Sequence, residues 1–176
     1  LLQQADMYTD VAILPANYDL WAEMGVQTDP FPEKLNVPYT SLIWESICKQ
    51  GGQADYITEI ILENAKVQDG KLVYGPKSYS LLILPGLKSL QPQNARKLHD
   101  FVATGGNVLC INTIPSMAPG LLHQEERDRE VRQAMASLQK YPRRFQRLEK
   151  PADQSWLSWV GELMEQVLIP RYMEIR

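Results

Sequence analysis

GGNVLCINTIP (residues 105–115) turns on two glycines, runs through Val108–Ile111 without a polar residue, and stops at Pro115. Apolarity that is continuous rather than alternating implies burial on both faces, the condition of a strand in a parallel sheet covered by helices. Two other stretches share this form, VAILPA (11–16) and SLLILPG (80–86), and each contains a proline near its end. Together they predict the centre of one sheet.

Helical spacing fills the intervals. Ile43, Trp44, Ile47 and Cys48 recur at i, i+1, i+4 and i+5, and Ala95, Leu98, Phe101 and Val102 form one face of a helix that Gly105 and Gly106 end. Val131, Ala134, Met135 and Leu138 share a face in a strongly charged segment, while Trp156, Trp159, Val160, Leu163, Met164 and Val167 give the clearest amphipathic repeat, closed by Pro170. ADYITEI (54–60) reads as a further strand. In KVQDGKLVYG (66–75) two short strand-like runs flank Asp69-Gly70, a pair suited to the positive φ angles of a tight hairpin turn. The alternation predicts an α/β, flavodoxin-like, doubly wound domain: a mostly parallel sheet flanked by helices, with a β-hairpin inserted before the strand at 80. NYDLWAEMGVQTDPFPEKLNVPYT (17–40), with Pro30, Pro32 and Pro38, reads as one long loop, a length that usually serves a site or an interface.

Composition narrows the function. The 176 residues suit one domain and fall short of the about 250 that a (β/α)8 barrel needs. With 18 basic and 21 acidic residues, unsegregated, the chain carries no electrostatic footprint for nucleic acid or an anionic membrane. No stretch approaches the roughly 20 apolar residues of a membrane span. Cys48 and Cys110 match no metal-ligand spacing and are expected to be buried, unlinked thiols. GLKSL (86–90) and ATGGN (103–107) lack a dinucleotide or Walker pattern, so neither metal nor cofactor is expected.

In such sheets ligands bind beyond the carboxyl ends of the strands, here Pro15–Tyr18, Pro85–Leu87 and Asn112–Pro115. A nucleophile elbow, G-x-[CS]-x-G, needs small residues two positions either side of its nucleophile; around Cys110 those positions hold Val108 and Asn112. Cys110 also lies inside its run rather than at the end, and neither His99 nor His123 sits where a base would follow the last core strand. No catalytic residue is therefore expected. Asp19, Glu23, Asp29 and Glu45 lie in or near the long segment, but a glycosidic pair is defined by its separation in space, and helix caps or solvated carboxylates use the same residues. Tyr18, Trp21, Phe31, Tyr39 and Trp44 suit either a sugar-stacking surface or the anchoring of the segment to this or a neighbouring domain. With Asp19 they form the expected substrate-rim or interface set.

LLILPG, the helix after it, TGGNV and the last core strand together resemble the class I glutamine amidotransferase-like fold, whose strand after the glycines ends in G-I-C-x-G. Laid on that pattern, Cys110 takes the first glycine, Asn112 the catalytic cysteine and Ile114 the second glycine; the late His-x-Glu pair has no counterpart after His123. The resemblance implies the fold without its catalytic machinery, with Asn112 at the degenerate nucleophile position. DVAILPANYDLWAEMG, DPFPEKLNVPYTSLIWESICKQGGQADYITE, VQDGKLVYGPKSYSLLILP and FVATGGNV look like the amidotransferase-like domain of large bacterial glycoside hydrolases of the α-L-rhamnosidase type. That domain is similar in role to the one after the barrel in family 42 β-galactosidases.

The second resemblance implies a single domain over 1–176, excised from a longer multidomain enzyme that carries its catalytic carboxylates on a separate barrel. This domain would then supply architecture, subunit contact or the rim of the substrate pocket. The expected partners are the other domains of the parent enzyme, carbohydrate, and a second copy in a homo-oligomer, in a periplasmic or extracellular setting. The start at Leu1 and the strand-like RYMEIR at 171–176 agree with excision. An independent carbohydrate- or small-ligand-binding module is the alternative.

Overall fold

A computed structural model describes residues 8–24, 39–167 and 169–172. In chain order its elements are β1 (Val11–Ile13), α1 (Asn17–Met24), α2 (Thr40–Lys49), β2 (Ala54–Tyr56), α3 (Glu59–Asn64), β3 (Lys66–Gln68) and β4 (Lys71–Tyr74). There follow β5 (Lys77–Tyr79), β6 (Leu81–Pro85), α4 (Pro92–Ala103), β7 (Asn107–Ile111), α5 (Gln124–Leu138), β8 (Phe145–Leu148) and α6 (Trp156–Gln166).

The three apolar runs are β1, β6 and β7, and their continuous apolarity has the expected cause. Val11, Ile13, Leu81, Ile83, Leu109 and Ile111 pack against α2 and α6 on one face of the sheet. Ala12, Leu14, Leu82, Leu84, Val108 and Cys110 pack against α3, α4 and α5 on the other. Each fully buried Leu or Ile among them contributes about 1.5–3 kcal/mol, so two-sided burial is what holds these short strands in place. The strand order is β2-β1-β6-β7-β8, every pair parallel, which is the 2-1-3-4-5 order of flavodoxin-like doubly wound sheets. Consecutive connections diverge on leaving β1 and β6, so the crevice of the fold opens between their carboxyl ends.

The helix over 92–103 ends as its glycines predict. Gly105 takes φ 123°, its N–H donates to Val102 O at 3.2 Å, and the Gly106 N–H donates to Phe101 O at 2.9 Å. This is the paired bonding of a Schellman stop, and it drops the chain directly into β7.

Four expectations change. ADYITEI is strand only over Ala54–Tyr56, because the Thr58 hydroxyl accepts the Ile61 N–H at 3.3 Å and caps α3. The hairpin forms, with Asp69 at φ 49° and Gly70 at φ 71°, but a second two-residue turn at Gly75 (φ 56°) and Pro76 returns β5 onto β4 and makes a three-stranded antiparallel sheet. Residues 17–24 of the expected long loop are helical, since Leu20, Ala22 and Glu23 favour a helix and Asp19 sits in its first turn. β8 went unread because Gln146 and Arg147 interrupt its apolar pattern; it is an edge strand, where charge discourages further pairing.

Residues 25–38, with Asp29, Pro30, Phe31, Pro32 and Pro38, lie outside the described residues. Of the strand expected at 171–176, Arg171 and Tyr172 are irregular and the remainder is likewise outside. The Tyr172 N–H donates to Gly51 O at 2.7 Å and its hydroxyl donates to Asp10, which ties this segment to the amino edge of the sheet, away from the crevice.

Candidate functional site

Beyond the carboxyl ends of β1, β2 and β6 lies a pocket of about 110 Å³. Leu14 and Pro15 follow β1, Leu87 follows β6, and Thr58, Glu59 and Ile60 follow β2, so the pocket sits at the crevice that strand order creates. Helix α1 closes it with Asn17, Tyr18 and Trp21. Tyr18 and Trp21 meet edge to face, centroids 5.7 Å apart and planes at 83°, and Trp21 stays 60% exposed.

Glu59 is the carboxylate of this wall. Its Oε2 accepts the Gln91 N–H at 2.9 Å and Asn94 Nδ2 at 2.7 Å, so it bridges the start of α3 to the start of α4. Its Oε1 is buried without a hydrogen-bond partner among the described residues. Burial pushes the carboxyl above the ordinary glutamate value; the bonds from Asn94 and Gln91 offset part of this, and the Asp19 and Glu63 carboxylates add to it.

The expected site residues divide between two places. Tyr18, Asp19 and Trp21 lie on α1 at the pocket, but Asp19 is already bound: its carboxylate accepts the Lys88 N–H at 2.7 Å and the Ser89 N–H at 3.0 Å, fixing the turn after β6. Glu23 pairs with Lys88 at 2.7 Å. Tyr39 and Trp44 belong to the α2–α6 layer. Tyr39 stacks on Trp156 at 5.5 Å and 16°, and Trp44 donates from Nε1 to Ala54 O at 2.9 Å. Phe31 is outside the described residues. Glu45, the remaining carboxylate, makes an exposed i,i+4 pair with Lys49.

At the end of β7, Cys110 and Asn112 are both engaged by the fold. Cys110 is fully buried on the α4–α5 face, and burial pushes its thiol up to about 12, so at neutral pH it is protonated and unreactive. Asn112 takes φ 65°, the left-handed turn that brings a residue out at the end of a strand. There its amide braces two segments, Oδ1 accepting the Lys150 N–H at 2.8 Å and Nδ2 donating to Tyr39 Oη at 3.4 Å, while its backbone oxygen accepts Arg147 Nε at 2.6 Å. His99 packs against Tyr141 and lies 3.4 Å from Asp100, and His123 stands at the N-cap of α5; neither bonds to Cys110 or Asn112. Among the described residues no cluster of His, Cys, Asp and Glu suits a metal, and no helix is long and apolar enough to cross a membrane. Cys110→Ala is expected to lower stability by about 1 kcal/mol, as a small core truncation, and to change no ligand response; chemical denaturation and titration of the variant check this.

The pocket residues missed from sequence include Thr58, Glu59 and Ile60. A threonine three residues ahead of Ile61 is a helix N-cap pattern that would have placed the first two at the start of a helix instead of within a strand.

No family model matches the chain, and no curated protein does. Among solved structures, a β-galactosidase from Bifidobacterium adolescentis is similar at 22% identity and a TM-score of 0.43, over 74% of this chain and 54% of that one. The chain thus spans about half the length of that protein.

Proposed function

We propose that this chain is a non-catalytic accessory domain of a carbohydrate-degrading glycoside hydrolase, with an amidotransferase-like fold that has lost its nucleophile. The observation that carries it is Asn112. The residue holds the tight left-handed turn at the end of β7, yet it offers a carboxamide engaged in bracing rather than a nucleophile. At neutral pH a carboxamide is un-ionised and its nitrogen lone pair is delocalised into the carbonyl, so the turn keeps its shape without presenting a nucleophile.

The type of parent enzyme rests on the sequence phrases, which resemble the α-L-rhamnosidase group and carry with them a periplasmic or extracellular setting. Contacts with other domains of that enzyme are the role assigned here. The 176-residue chain alone is expected to leave a panel of nitrophenyl glycosides intact, whereas the natural polypeptide that carries it hydrolyses one of them. Turnover by the chain alone, above a heat-denatured control, overturns the reading.

A further inference from the structure

The crevice beyond β1, β2 and β6 has walls of one chemistry and a rim of another. Leu14, Leu87 and Ile60 present aliphatic surface, and Trp21 joins them in edge-to-face contact with Tyr18. Trp21 is 60% and Ile60 64% exposed, so two large apolar side chains flank the opening and remain mostly in water. Isolated exposed apolar residues are ordinary, but two that line one concave, mostly apolar pocket at the switch point of a doubly wound sheet stand where ligands bind.

The polar groups limit the ligand. Among the described residues no lysine, arginine or histidine lines the pocket, which disfavours phosphate, sulfate or a carboxylate. Glu59 lies in the wall with both of its bonds made through Oε2, and an anion would add a like charge beside it. What remains is hydrogen bonding by uncharged groups: the Asn17 amide, and the Thr58 hydroxyl, whose oxygen serves as helix cap while its proton is free to donate. A pocket of about 110 Å³ is well below the ~300 Å³ at which drug-sized sites begin, so it admits the face of one ring and no chain. A neutral ring with an apolar face and hydroxyls at its edge meets all of these limits.

We propose that this crevice binds a single neutral pyranose, its apolar ring face on Trp21 and its edge hydroxyls toward Asn17 and Thr58. Aromatic surfaces take up the axial hydrogens of such a ring while polar neighbours satisfy the hydroxyls. With one ring and few hydrogen bonds, affinity falls in the millimolar range. The site goes beyond the accessory role and is separable from it: hydrolysis of a glycoside by the chain would sink that role and leave the pocket untouched.

The test is a titration of the isotopically labelled chain, followed by amide and indole chemical shifts, with methyl β-D-glucopyranoside and methyl α-L-rhamnopyranoside. Cyclohexanol serves as a ring without the hydroxyl edge and glycerol as hydroxyls without a ring. Saturable shifts at the Trp21 indole and the Thr58, Glu59 and Ile60 amides with at least one pyranoside are expected, weaker with either control. Trp21→Ala and Ile60→Asp, both at exposed positions, should each weaken binding at least tenfold with little change in melting temperature. The proposal is overturned by absence of saturation with both pyranosides, by tighter binding of cyclohexanol or glycerol, or by full retention of binding in both variants.

Discussion

Gly106→Ala is expected to lower the unfolding free energy by about 3 kcal/mol, a cost of forced overpacking at the upper end of its usual range. A methyl group built at Gly106 falls 2.0 Å from Phe101 Cε2 and 2.3 Å from Cδ2, far inside contact distance. The ring cannot swing aside cheaply, because Phe101 is fully buried within the α3–α5 core. The backbone cannot retreat either, since the Gly106 N–H is the outer bond of the helix stop, to the oxygen of that same Phe101. Relief therefore requires either an off-rotamer phenylalanine or a broken Schellman bond, and both loosen the entry into β7. Gly75→Ala is the contrast: it meets nothing within 4 Å and pays only for a left-handed backbone at φ 56°, about 1 kcal/mol. Urea unfolding of both variants, with unchanged m values, measures the difference; equal losses would show that crowding at Phe101 is not the cause.

The same helix stop shows why part of the fold was legible. Gly105-Gly106 after a 3.6-residue apolar repeat and before a continuous apolar run admits one interpretation, helix into buried strand. Strands β1, β6 and β7 were readable for the same reason, as both of their faces are covered. β8 has Phe145 buried but Gln146 and Arg147 on an open edge, so its sequence carries no periodic signal, and its pairing with β7 is a fact of tertiary structure. In ADYITEI the β-branched and aromatic residues Tyr56, Ile57, Thr58 and Ile60 favour a strand, and only the Thr58 cap divides strand from helix. At 17–24 the prolines further along drew a helix-forming segment into a loop reading.

The site was legible in position more than in composition. That a crevice opens beyond β1 and β6 follows from strand order, and Tyr18 and Trp21 stand out as aromatic residues of the 17–40 segment. That G-x-[CS]-x-G does not fit around Cys110 is readable from Val108 and Asn112. Tyr39 and Trp44 share a sequence segment with Trp21, but the fold sends them to the α2–α6 layer, where they brace Trp156 and Ala54. The Thr58 cap pattern places Glu59 at a helix start but does not show what its carboxylate holds. Its partners Gln91 and Asn94 come from a helix 32 and 35 residues away, so its role exists only once α3 and α4 are side by side.

Glu59 carries the second large expected effect, and its sign follows from burial. Truncation by Glu59→Ala leaves the Gln91 N–H and Asn94 Nδ2 without their shared acceptor, a loss of about 3 kcal/mol at about 1–3 kcal/mol for each stranded group. Glu59→Gln keeps a neutral acceptor in that position and should retain most of this. The two variants also separate charge from hydrogen bonding. Because burial raises the folded carboxyl above the ordinary value of 4.5, the folded state holds its proton where the unfolded state has lost it. Stability from this group is then fully present below pH 4.5 and is lost as pH rises through the folded value. Glu59→Gln has no proton to lose, so its stability relative to the wild type should improve steadily with pH across that window and then level off. Denaturation midpoints of the two proteins over a pH series provide the difference curve, in which titrations common to both cancel. A flat difference curve would mean that the carboxyl titrates alike in both states, and a curve of opposite slope would mean that its hydrogen bonds outweigh its burial.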